Sequence, residues 1–151
     1  METIRRIPDC LAALIGRHGA LLGALALIAY VAGITLISIV HPQVNWDLIA
    51  YVASAAEPRF ANAAELHGYA YGQVRLFAED WQFAALTGAD AYRAYQFANP
   101  DAFVSMLGMY KVKALYVGLV QALAVPFGEI GAIRLITTVS TAVTGTVFLL
   151  W

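Results

Sequence analysis

The stretch Gly19–Val40 reads GALLGALALIAYVAGITLISIV, 22 residues without a charged side chain. About 20 apolar residues are needed to span the hydrocarbon core of a bilayer. In hydrocarbon, a single segment can satisfy its backbone polar groups only as a helix. The stretch therefore predicts a transmembrane helix over 19–40 and decides the fold class. Gly19 and Gly23 form a small-xxx-small pair, which permits close approach of a second helix. On the amino-terminal side lie Arg5, Arg6 and Arg17, so residues 1–18 read as a cytoplasmic segment by the positive-inside rule. A cleaved signal peptide is the competing reading, because Ala53-Ser54-Ala55 has the small-x-small look of a cleavage site. The apolar run is too long for a signal core, and that site lies far beyond it. Cys10 precedes the apolar run, so it is not a lipoprotein cysteine. As the single cysteine it also excludes an internal disulfide and any multi-cysteine metal site.

Two further apolar runs follow. ALYVGLVQALAVPFG, between Lys113 and Glu129, is short for a crossing. The expectation is a helix entered near Pro100-Asp101, capped by Asn99 or Asp101, crossing over 108–128 and broken by Pro126 and Gly128. Lys111 and Lys113 would snorkel at its start. LITTVSTAVTGTVFLLW, Leu135–Trp151, opens after Arg134 and predicts a third crossing over 133–151. The short Phe127–Arg134 connection makes these two an antiparallel pair. The expected fold is thus all-α: a polytopic membrane bundle of three transmembrane helices, with short amphipathic helices in the first outside loop.

Composition agrees with this class. The 151-residue chain is 61% hydrophobic and 13% charged, whereas soluble domains are near half apolar and about a quarter charged. The net charge of −1 supplies no field that would recruit nucleic acid. Residues 41–110 carry three arginines against seven acidic residues, a net −4, which suits an outside loop. Lys111 and Lys113 oppose the positive-inside rule. The expected location is a bacterial inner membrane, with the amino terminus cytoplasmic and 41–110 periplasmic.

The outside loop, 41–107, is far longer than an ordinary connection and should be structured or functional. Asn45 can cap a helix over Trp46–Ala56. A second helix is expected over Val74–Leu86. Thr87-Gly-Ala-Asp90 resembles a capping box opening a third to Ala98. Trp46, Tyr51, Phe77, Trp81, Phe83, Tyr92, Tyr95 and Phe97 supply aromatics of the kind found at headgroup level, so these helices are expected on the membrane surface. No phosphate-binding glycine loop, HExxH or GxSxG occurs.

Asp47 is the leading candidate for chemistry. On a helix it shares a face with Tyr51, four residues on. A carboxylate at the mouth of a helix bundle can act as a general base or hold a divalent metal. The plainer reading is a first-turn helix charge. Lys111, Lys113 and Arg93 could meet a lipid phosphate, or serve only as anchors. Glu79-Asp80 could chelate a cation, but neighbours on a helix do not share a face. His41 could be a ligand, a base or a polar interfacial anchor.

The layout resembles a family. One helix is followed by an outside loop opening with Asp47 and Tyr51, then short helices, then Tyr110-Lys-Val-Lys-Ala-Leu-Tyr116 entering the next helix, then Phe127-Gly128 before the next. This is similar to the amino-terminal part of GT-C-fold glycosyltransferases, such as protein mannosyltransferases and the lipid A aminoarabinose transferase. Where that family often has Lys-Pro, this chain has Lys113-Ala114, and Asp47 lacks an adjacent acid. The resemblance implies a polyprenyl-phosphate sugar donor, transfer on the non-cytoplasmic side, and an active-site or metal-site acid at Asp47 supported by Tyr51. It implies donor contacts from Lys111, Lys113 or Arg93. Family members are several times longer, so the expectation is a module inactive alone, partnered by the remainder of a longer or split transferase. The rival expectation is a small non-enzymatic scaffold or accessory subunit whose loop helices bind a partner.

Overall fold

The computed structural model describes residues 3–40 and 44–150, without the side chains of residues 3–15, 17, 38, 149 and 150. Among the described residues every element is helical and no strand occurs. The order is α1 (Thr3–Val40), α2 (Trp46–Ala56), a 3-10 turn (Glu57–Arg59), α3 (Ala63–Phe77), α4 (Asp80–Gly88), α5 (Ala91–Ala98), α6 (Pro100–Met106), α7 (Gly108–Lys111) and α8 (Ala114–Leu150). Among the described residues two helices are long and apolar enough to cross a membrane, α1 over His18–Ile37 and α8 over Ala114–Phe148. The chain divides into two compact units. One contains residues up to 41 together with residues from 138 onward; the other is 42–137.

The first unit holds α1 and the last turns of α8. Leu21, Leu25, Ile28, Tyr30, Leu36 and Ile37 are all more than half exposed. A helix apolar on every side belongs in lipid or in a protein core. A Cβ on Gly145 would stand 2.5 Å from Val31 Cγ2. That glycine lets two backbones approach closely, the small-residue logic of membrane helix pairs. Nothing stands within 4 Å of a Cβ on Gly23, so the expected contact glycine makes no such approach.

The second unit is built around α2. Every residue from Ile49 to Ala56 is buried. Its core combines Ile49, Val52 and Ala53 with Leu66, Ala70 and Val74 of α3, Leu86 of α4, and Phe103, Met106 and Leu107. Short helices have little stability of their own, so their ends are fixed by side chains. Asn45, Asn62, Asp90 and Asn99 each accept a backbone N–H three residues on, at 2.8–3.1 Å. Glu79 opens α4 in a reciprocal capping box with Gln82.

Several loop expectations are revised. The helix expected over Val74–Leu86 is two helices, because Ala78 is extended and Glu79 starts a new cap. Helix α3 was not anticipated, although Asn62 with Glu65 is its start signal. Asp90, not Thr87, caps α5; the Thr87 hydroxyl donates back to the Phe83 carbonyl at 2.9 Å. The aromatic residues divide between core and surface. Helix α2 is the centre of the core, and Tyr71 and Phe103 are buried with it. Trp81, Tyr92, Tyr95 and Phe97 remain exposed. The Ala53-Ser54-Ala55 segment is buried in the last turn of α2.

The helix expected over 108–128 also differs. Residues 100–111 form the separate helices α6 and α7, and α8 starts only at Ala114. Gly128, at φ 69° and ψ 164°, breaks α8 into two arms. Val120 and Ala132 share a small core with Tyr116 and Ile136. Along an unbroken helix the last two would stand about 30 Å apart, so the arms fold back on each other. The first arm, 114–127, is about 21 Å long, short of the ~30 Å of hydrocarbon. Directly after the turn, Glu129 is 3% exposed and pairs with Arg59. It also accepts the Tyr69 hydroxyl at 2.7 Å. Ile130 joins the main core. These contacts hold the turn on the same body as the loop helices. The expected bundle instead sets residues 41–110 and this turn on opposite sides of the membrane.

Gly128 occupies backbone space open essentially to glycine alone. Gly128→Ala is expected to cost the 42–137 unit about 1–3 kcal/mol. Thermal unfolding followed by circular dichroism should show a midpoint several degrees lower.

Candidate functional site

The start of α2 and the segment joining α7 to α8 bring four polar side chains together. Asp47 sits in the first turn of α2, with its carboxylate exposed. Tyr110 donates its hydroxyl to Asp47 Oδ1 at 2.9 Å. One turn along α2, the Tyr51 hydroxyl accepts from Lys113 Nζ. The Tyr51 ring makes edge contacts with Tyr110, at 5.2 Å between centroids, and with Tyr116, at 4.8 Å. Lys113 Nζ lies 5.1 Å from the centre of the Tyr51 ring. Each edge-to-face pair contributes about 0.5–1.5 kcal/mol beyond its buried area. The i, i+4 spacing of Asp47 and Tyr51 thus does what it predicts: both face one cluster. An open cleft of about 520 Å³ adjoins it, lined by Tyr51, Val112, Lys113, Ala114, Leu115 and Tyr116.

Electrostatics follow from these contacts. The Lys113 pKa is raised, first by donating to the Tyr51 hydroxyl and then by nearby charge that includes Asp47. A raised lysine pKa keeps this contact charged through neutral pH; it is lost only as pH climbs past the ordinary lysine range. Burial, assisted by the hydrogen bond to Asp47, pushes the Tyr110 hydroxyl up to about 12. Tyr110 therefore stays a hydrogen-bond donor at physiological pH.

The other expected residues lie elsewhere. Lys111 pairs with Glu57 at the far end of α2, Nζ to Oε2 2.6 Å. Arg93 pairs with Asp90 at 3.3 Å and donates to the Ala85 carbonyl at 3.0 Å. Arg93 is thus a local brace between α4 and α5. Asp80 pairs with Arg75, and Glu79 accepts the Trp81 indole N–H at 2.6 Å. These acids do not chelate together. His41 lies outside the described residues. Among the described residues no group of three His, Cys, Asp or Glu side chains comes together. At Asp47 the neighbours are a hydroxyl donor and, nearby, an ammonium group, which do not fit a divalent cation.

Two constellations had no forecast from sequence. The Glu129–Arg59–Tyr69 set is one, with the Arg59 guanidinium 5.1 Å from the Tyr69 ring centre. The other surrounds His67, whose ring lies 4.5 Å from Tyr71 and 5.3 Å from Phe103, with Nε2 3.2 Å from the Gln96 carbonyl oxygen. Burial lowers the His67 pKa below 6.5. A histidine kept neutral contributes stability that is present above its unfolded pKa and lost as pH falls through the folded one. The unfolding midpoint of the 42–137 unit should drop as pH is lowered below 6.5. In a His67→Gln variant that acid slope should flatten, as read by urea titrations across the pH series.

Comparison with family models, curated proteins and solved structures finds no match for this chain. The likeness to GT-C glycosyltransferases therefore stands on sequence layout alone.

Proposed function

We propose that this chain is the amino-terminal membrane module of a glycosyltransferase. It would move a sugar from a polyprenyl-phosphate donor to an acceptor on the non-cytoplasmic side of a membrane. One observation supports this most. Asp47 and Lys113, far apart in sequence, meet through Tyr51 and Tyr110 beside a cleft with apolar walls. An ammonium group lining an apolar cleft, with a carboxylate nearby on the Tyr110 hydroxyl, suits the needs of such a transfer. In the proposed step the acceptor hydroxyl oxygen bonds to the sugar C1 while the C1–O bond to phosphate breaks. Asp47 takes the hydroxyl proton, and the departing polyprenyl phosphate carries its charge toward Lys113. Tyr110 holds the Asp47 carboxylate in place, and Tyr51 holds the ammonium group. Val112, Leu115 and Tyr116 suit the isoprenoid tail. No metal takes part in this proposal.

The proposal keeps the expected orientation, amino terminus inside and loop outside, on the arginine distribution. It places two crossings, α1 and the last part of α8, rather than three. The first arm of α8 is left on the loop's side because Glu129 is bound by Arg59 and Tyr69.

Binding is the direct test. The chain in lipid nanodiscs should quench intrinsic fluorescence on addition of undecaprenyl phosphate, and respond at least tenfold more weakly to undecaprenol. Lys113→Ala should lose most of that difference, since a charge-assisted contact to phosphate is removed. Equal binding of phosphate and alcohol would defeat the donor assignment.

A second reading has an observation of its own. Lys111 is matched by Glu57, Arg93 by Asp90 and Arg59 by Glu129. A domain whose charges are matched internally suits a scaffold or accessory subunit that binds a partner protein. That reading expects no preference for the lipid phosphate.

A further inference from the structure

The first arm of α8 carries a stripe of residues at 115, 118, 119, 122, 125 and 126, the spacing of one helix face. Leu115 is 80% exposed, Leu119 43% and Val125 91%. The opposite face, with Val117 and Val120, is buried in the domain. No charged residue lies between Ala114 and Phe127. Branched side chains this exposed demand a cover other than water.

We propose that this stripe lies in the acyl-chain region of a single membrane leaflet, so that the arm enters and leaves lipid on the side of residues 46–77. Three observations name lipid as the occupant. Past the Gly128 break the chain continues into a second apolar arm, and residues 114–148 taken together are long and apolar enough to be membrane-embedded. The apolar surface extends beyond the arm through Met109 and Val112, 74% and 80% exposed, with Lys111 and Lys113 beside them. Apolar tips alternating with lysines suit the headgroup boundary, where ammonium groups reach water while stems stay in lipid. Thirdly, the tie of Glu129 to Arg59 and Tyr69 prevents the arm from carrying the chain to the other side. A protein helix is the rival occupant, because Gly118 and Ala122 place small residues at the centre of the stripe.

The test is a depth measurement on the full chain with Cys10 replaced by Ser. Single cysteines at Leu115, Ala122 and Val125 are spin-labelled in phosphatidylcholine–phosphatidylglycerol vesicles. Their accessibility to oxygen and to a water-soluble nickel chelate is compared. All three positions are surface-exposed, so labelling leaves the core intact. The expected result is one shallow depth for all three, about 5–10 Å into the headgroup–acyl boundary. A crossing helix would set Ala122 near the bilayer centre with the other two shallower, and would overturn the proposal. Free access of nickel to all three, showing water, would overturn it. So would exclusion of both reagents, showing a protein cover.

Discussion

Under the proposed function, replacing Asp47 with Asn should lower sugar transfer by about two to four orders of magnitude, the range for loss of a general base. The variant keeps the shape of the side chain and an oxygen that accepts the Tyr110 hydroxyl, so the cluster remains assembled. What disappears is the proton acceptor and the negative charge near Lys113. Asp47 is exposed and its removal leaves no buried group unpaired, so expression and unfolding should be close to wild type. That separates chemistry from folding. Binding of undecaprenyl phosphate should persist, because Lys113 keeps its place on Tyr51. The measurement is initial rate against donor concentration. A fall in kcat with little change in KM fits a base that acts only in the transition state. Undiminished transfer would remove Asp47 from the mechanism. An intermediate outcome is informative as well: a rise in KM alone would make Asp47 a positioning group for Lys113 and the lipid phosphate.

Local signals in the sequence carried further than long-range ones. Asn45 before an apolar 11-residue run foretold α2 to the residue, since an N-cap and periodicity act within a few positions. The next two caps were read less closely: Asp90 rather than Thr87 opens α5, and Asn99 caps the short α6 rather than a crossing helix. The meeting of Asp47 with Lys113 was legible as an expectation, because both stood at the outer ends of expected helices. Its chemistry depends on Tyr110, 63 residues from Asp47, and no spacing rule connects them. Helix α3 was overlooked for a different reason. Its sequence AAELHGYAYGQVRLF mixes polar residues through its apolar stripe, so only the Asn62–Glu65 cap announced it. The expected second crossing shows what hydropathy leaves open, because it measures composition, not depth. ALYVGLVQALAVPFG has the composition of a membrane helix, yet one of its faces is domain core. Glu129 read as the polar end of a crossing; in the fold it is the residue that anchors the hairpin.

That anchor sets the largest expected effect on stability. Glu129 is 3% exposed, and its carboxylate is held by Arg59 and by the Tyr69 hydroxyl. A buried carboxylate without its cation keeps its desolvation cost and loses its compensation. Removing one partner of a buried pair typically costs about 3–5 kcal/mol. Arg59 is itself about half exposed, so water can partly replace it. Arg59→Ala should therefore cost about 2–4 kcal/mol, the lower part of that range and below it. Glu129→Gln should cost less than Arg59→Ala. The amide still accepts from Tyr69 and leaves no buried charge behind, while Arg59 turns to solvent. Combining the two substitutions should recover part of the Arg59→Ala loss, because the uncompensated carboxylate is gone. Denaturant unfolding of the four proteins forms the cycle. The order wild type, Glu129→Gln, double variant, Arg59→Ala is expected from most to least stable. Equal losses in both single variants would mean that the pair acts through packing of the Arg59 stem over Tyr69 rather than through charge. The same cycle probes the hairpin, because Glu129 directly follows Gly128. If the pair fixes the turn, oxygen accessibility at a spin label on Val125 should change in Arg59→Ala, while a label on Gln73 of α3 stays as it was.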